Sequence, residues 1–137
     1  MWILFAFGSA LFAGLTSVLA KCGIKKTDSD AATAIRTIVV LIFSWLMVWI
    51  VGSAPTITGL SAKTWIFLIL SGIATGASWL CYYKALQDGL ASVVVPIDKL
   101  SILVSIGFSA LVFKERLSKK AAVGLVLIVV GTLMMLI

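Results

Sequence analysis

Five apolar runs, each about 17–23 residues long and parted by short polar breaks, fill almost the whole chain. At about 1.5 Å per residue, a helix of that length crosses the roughly 30 Å hydrocarbon core of a bilayer. Transmembrane strands would be about 10 residues long and would alternate in polarity, which these runs do not. Charged residues make up 12% of the chain and gather in the breaks rather than spreading along it. The 62% hydrophobic content is more than a soluble domain of this size can hide from water. The pattern predicts an all-α integral membrane protein, a single transmembrane domain over 1–137 with five helices near 2–20, 32–51, 64–83, 91–113 and 121–137.

The breaks carry their own signals. No basic residue precedes the first run, and Lys21, Lys25 and Lys26 follow it. That is the reverse of a signal peptide, so a retained helix is expected. The polar stretch around Asp28 supplies an N-cap for the second helix, Gly52-Ser53-Ala54-Pro55 ends it, and Ser61 can cap the third. Trp2, Trp45, Trp49, Trp65 and Tyr83 lie near span ends, where an aromatic belt would place them. The chain has no histidine, and Cys22 and Cys81 are too few and too distant for a zinc site. No nucleophile–base constellation is visible, so neither a cofactor nor enzymatic chemistry is expected. The net charge of +6 comes from residues beside spans, where Lys and Arg set topology, and it does not imply nucleic acid.

The distribution of that charge is informative. With five spans, one side of the membrane carries Lys21, Lys25, Lys26, Arg36 and Lys84, and the other carries Lys63, Lys114, Arg116, Lys119 and Lys120. With Lys99 left out because it lies inside a span, five basic residues against five gives no orientation bias, whereas a fixed topology has a clear cytoplasmic excess. The tie predicts dual topology and an antiparallel homodimer of ten helices. Transporters are often built from inverted repeats, and a single unit with an odd number of spans must find its inverted partner in a second copy.

The fourth span breaks the apolar rule. Asp98 and Lys99 follow Pro96 near its middle, where an ionisable group costs about 2.5–3.5 kcal/mol and usually faces a bundle interior or cavity. Pro96 cannot donate to the Ser92 carbonyl, which favours a kink. On a continuous helix Asp98, Ser101, Ser105 and Ser109 share one face, as a cavity wall would. Adjacent residues on a helix do not face each other, so Asp98 and Lys99 are not expected to neutralise one another. In the third span Ser71, Thr75, Ser78 and Tyr82 form one stripe, and Gly72, Gly76, Trp79 and Tyr83 a second. The Gly72-x-x-x-Gly76 spacing allows close helix approach, and Trp79 and Tyr82 can stack on a substrate. Arg36, about one turn inside the second span, either snorkels to headgroups, gates, or anchors an anionic group. Glu115, amid basic residues, is expected to cap or pair locally.

Leu90-Ala91-Ser92-Val93-Val94-Val95-Pro96-Ile97, an apolar helix, Phe113-Lys114-Glu115-Arg116-Leu117, and then Gly124 and Gly131 together resemble the EamA domain of the drug/metabolite transporter superfamily. Tyr82-Tyr83-Lys84-Ala85-Leu86 and Ala31 to Arg36 look like its earlier landmarks, and Pro96 to Ser101 is similar to the single-domain, five-helix branch. The resemblance implies secondary transport of small metabolites or drugs by alternating access, through a central cavity between two inverted halves, here two subunits in the cytoplasmic (inner) membrane. Asp98, Lys99, Ser101, Ser105, Trp79 and Tyr82 are the candidate substrate contacts. Arg36, Pro96, Gly72 and Gly76 are the candidate gating or coupling residues. The first span lacks the glutamate of the four-helix multidrug relatives, so their proton coupling does not carry over. Two other readings share the spans: a non-transporting subunit of a larger complex, and a carrier that flips a lipid-linked headgroup.

Overall fold

The computed structural model describes residues 1–114 and 116–137; the local pairing expected of Glu115 lies outside them. Its elements are all helical: α1 (Trp2–Ile24), α2 (Ser29–Val51), α3 (Ala54–Ile57), α4 (Ala62–Asp88), α5 (Ala91–Asp98), α6 (Ser101–Val112) and α7 (Lys119–Met134). Among the described residues there is no strand. α1, α2, α4 and the stretch Ala91–Val112 are long and apolar enough to cross a membrane. α7 has 16 residues, about 24 Å at the α-helical rise. α1 and α4 overrun their apolar runs by about a turn, because helical hydrogen bonding continues past the point where the sequence turns polar.

The helix ends follow local chemistry. Gly52 adopts φ +72°, the left-handed conformation that glycine reaches without a Cβ penalty. Its N–H donates to the Trp49 carbonyl (3.2 Å) and that of Ser53 to the Val48 carbonyl (3.0 Å), a Schellman closure of α2 with Pro55 just beyond. Asp28 holds the N-cap position of α2 without a side-chain hydrogen bond. At the start of α4, Ser61 Oγ accepts from the Thr64 N–H at 3.3 Å. Ser118 caps α7 by accepting from the Ala121 N–H at 3.2 Å.

The chain divides into two compact units, residues 1–18 with 88–137, and residues 19–87. In the first, α5 packs against α7, and Thr132 is buried with its hydroxyl on the Ile128 carbonyl (2.8 Å). The expected single fourth helix is two pieces here. After Pro96 the bonds tighten to the three-residue spacing, with the Lys99 N–H on the Pro96 carbonyl (3.1 Å), Leu100 on Ile97 (2.9 Å) and Leu103 on Leu100 (3.0 Å). A short 3₁₀ turn therefore separates α5 from α6.

In the second unit the buried positions concentrate where α1 ends, α2 begins and α4 ends: Ile24, Ser29, Thr33, Tyr83 and Leu86. Lys21 Nζ donates to the Leu86 carbonyl, and Gln87 Nε2 donates to the Thr27 carbonyl at 3.0 Å. These bonds tie the α1–α2 connection to the C-terminal end of α4. Elsewhere large apolar side chains point outward, Trp49 and Leu111 at 80% exposure each. Apolar surface on that scale belongs in lipid or against another protein.

Candidate functional site

Arg36 lies two turns into α2, deep enough for its charge to need company. Its guanidinium does not snorkel outward. It lies over the Trp79 ring, 4.5 Å from the centroid, and over Tyr83 at 5.2 Å. Trp79 and Tyr83 are one turn apart on α4, so their rings form a bracket that receives one flat cation from α2. Each such contact contributes about 0.5–2 kcal/mol, more when water is excluded. Nη1 is buried without a hydrogen-bond acceptor. Tyr83 is buried and meets Tyr82 edge-on, with centroids 5.5 Å apart at 66°.

The Trp79 ring also lines an open groove of about 720 Å³ between α2 and α4, a size that suits a small metabolite. Thr33 and Thr37 line it from α2, and Ser71, Gly72, Thr75 and Gly76 from α4, with Asp30 at the α2 N-terminal end. A Cβ added at Gly72 or Gly76 would meet nothing within 4 Å. Inside this chain, then, the two glycines do not bring a helix close, as their spacing alone suggested; they widen the groove. Three of its hydroxyls bond back to their own helices: Thr33 to the Ser29 carbonyl (2.8 Å), Thr37 to Thr33 (2.7 Å) and Thr75 to Ser71 (2.9 Å). They offer the groove lone pairs rather than hydrogens.

The remaining sequence candidates belong to the other unit. Lys99 Nζ and Asp98 Oδ2 stand 3.9 Å apart, with both side chains well exposed. The sequence argument that neighbours on a helix cannot meet fails here, because α5 ends at Asp98 and the tighter turn swings Lys99 toward it. That turn has a second effect. Three residues of 3₁₀ helix complete one revolution, so Asp98 and Ser101 fall on one line more closely than an α-helix would place them. Ser101 and Ser105 are exposed, and among the described residues no hydrogen bond engages the hydroxyl of Ser101, Ser105 or Ser109. Unlike the groove threonines, they are left with hydrogens to give. Pro96 lies three residues before the turn.

The structure thus brings together Arg36 and Trp79, with Gly72 and Gly76 on the same groove, while Tyr82 sits against Tyr83 rather than among the groove residues. Thr33, Thr37 and Asp30 were not singled out from sequence. Their offsets of three and seven from Asp30 place all three on one helical face, and that was the available signal.

The fold and groove define a multi-pass helical membrane protein with an open, largely apolar recess the size of a small molecule, dotted with hydroxyls. The chain belongs to the EamA-like transporter family, which matches residues 1–137. It is 42% identical over 134 residues to an uncharacterized transporter encoded in the cobO 3′ region of a Sinorhizobium species, with 98% of this chain and 95% of that protein aligned. It is 30% identical over 103 residues to an uncharacterized protein of Methanocaldococcus jannaschii, covering 69% of this chain and 75% of the relative. No solved structure matches the chain. Family membership makes it a membrane transporter of the drug/metabolite type, embedded in a lipid bilayer and acting on a small molecule.

Proposed function

We propose that the protein is a secondary transporter of small metabolites or drugs that works by alternating access as an antiparallel homodimer in the cytoplasmic membrane. The observation that carries this reading is the α2–α4 groove: a recess whose largely apolar walls carry hydroxyls and glycines, in a chain that exposes many large apolar side chains. A second, inverted copy would close it into a cavity. The tie of five basic residues against five supports insertion in both orientations. α7 would be the fifth span, with Lys119 and Lys120 reaching back to the headgroups from a helix slightly short for the bilayer.

In this mechanism Trp79 contacts the substrate from the groove wall, Tyr82 would reach it only once the helices move, and Asp98, Lys99, Ser101 and Ser105 form the second wetted surface. Their exposed ion pair and unengaged hydroxyls support that role. Gly72 and Gly76 leave room for helix movement, the 3₁₀ turn after Pro96 is the hinge, and Arg36 latches α2 to α4 through the aromatic bracket. The test is release from liposomes holding the purified chain alone and loaded with a mixed metabolite extract. Selective, saturable release of some compounds, against none from empty liposomes, is the expected result. No selective release from a preparation that is shown to be dimeric would overturn the proposal.

A further inference from the structure

We propose that Arg36 is an anion-recognition group: its guanidinium binds a carboxylate or phosphate, carried by the transported molecule or by a lipid headgroup. The inference deepens the transport reading and rests on it for the idea that the anion can be cargo.

Three observations meet at this residue. The guanidinium is held over Trp79 and Tyr83 at 4.5 and 5.2 Å, so its position is set before any ligand arrives. Among the described residues no carboxylate lies within ion-pair distance of it and no oxygen accepts from it, although Nη1 is buried. Aromatic rings offset the charge of a cation but accept hydrogen bonds poorly, so the outer fork of the guanidinium keeps its donors. The third observation concerns its neighbours. Thr33, Thr37 and Thr75 have committed their hydrogens to helix carbonyls, which leaves the Ser71 hydroxyl and the Trp79 indole as neutral donors of the groove and Arg36, beside it, as the charged one. It shares the Trp79 ring with the groove, and at the same end of α1, α2 and α4 the four lysines Lys21, Lys25, Lys26 and Lys84 outnumber the carboxylates Asp28 and Asp30. A planar, permanently charged fork, already in place, matches two oxygens of one carboxylate or phosphate.

The chain has two arginines, and Arg116, exposed in a different segment, serves as an internal reference. The wild-type protein in nanodiscs of zwitterionic lipid is treated with phenylglyoxal, and modification of each arginine is followed by peptide mass spectrometry. Inorganic phosphate or acetate, at ionic strength held constant with chloride, should slow modification of Arg36 about tenfold and leave Arg116 unchanged. In a second arm, nanodiscs containing phosphatidylglycerol replace the free anion. Protection by free anion identifies a soluble ligand, and protection by phosphatidylglycerol alone identifies a headgroup. An Arg36 that never reacts, or one whose rate neither arm changes, overturns the inference. Protection of Arg36 without release of any compound from liposomes would leave the anion site standing while the transport reading falls. Selective release with Arg36 unprotected would do the opposite.

Discussion

Arg36 and Trp79 meet across two helices, the guanidinium carbon 4.5 Å from the centroid of the indole ring, and this contact links the membrane-embedded cation of α2 to the wall of the groove. Replacing the indole tests the link. Trp79→Phe keeps a ring face and should retain most of the stability. Trp79→Ala should lower the unfolding free energy in detergent by about 3–5 kcal/mol, combining loss of the large side chain with loss of the cation contact. A partly open site can relax, and the lower end of that range is expected here. Equal stability of the two variants would show that the contact contributes nothing.

Asp98 and Lys99 form a pair at 3.9 Å between exposed side chains, a geometry that contributes little to folding, about 0–1 kcal/mol. Asp98→Asn should therefore fold and dimerise normally. If the stripe starting at Asp98 lines the transport path, its flux in liposomes should fall at least about tenfold, the scale of one lost charged hydrogen bond. Unchanged flux at every pH would remove Asp98 from the mechanism.

Gly72 and Gly76 open on empty space. Alanine at either position should fold without strain and add a few tenths of a kcal/mol to about 1 kcal/mol through helix propensity. Gly76→Leu should also insert and fold, yet fill the groove and block release of every compound that the wild type moves. A fully active Gly76→Leu variant would place the path elsewhere.

The balance of basic residues makes orientation easy to bias. With Cys22 and Cys81, both exposed, replaced by serine, a cysteine placed beside Lys26 should label from both sides of the membrane. Three added lysines in the 113–118 connection should shift labelling to one side, and three in the 25–30 connection to the other. Each biased variant alone should lose activity, and coexpression should restore it. One-sided labelling of the unbiased chain would end the dual-topology account.

The spans could be read from sequence because bilayer thickness sets the length of an apolar run, and the apolar runs survive in the structure as α1, α2, α4 and the α5–α6 stretch. The Arg36 bracket could not be read in the same way. Spacing gives the direction in which Arg36, Trp79 and Tyr83 leave their helices, but not which helix stands opposite. That depends on pairing set by contacts such as Gln87 with Thr27 and Lys21 with Leu86, far apart in the chain. Pro96 announced an interruption. Its missing donor affects Ser92, whereas the turn itself forms at Lys99 and Leu100, where the backbone shortens to the three-residue spacing. The Asp98–Lys99 approach depends on that displacement, so a continuous-helix reading missed it.

The threonines that bond back to their own helices bear on how the protein is made. A hydroxyl already paired within its helix can face hydrocarbon without waiting for an acceptor on a neighbour, and Thr33, Thr37, Thr75 and Thr132 all meet that condition. If the proposed dual topology holds, a newly synthesised copy would settle in the bilayer as a single chain in either orientation and meet its counterpart later by lateral diffusion. Assembly would then depend on how many copies of each orientation the membrane holds, rather than on the moment of synthesis.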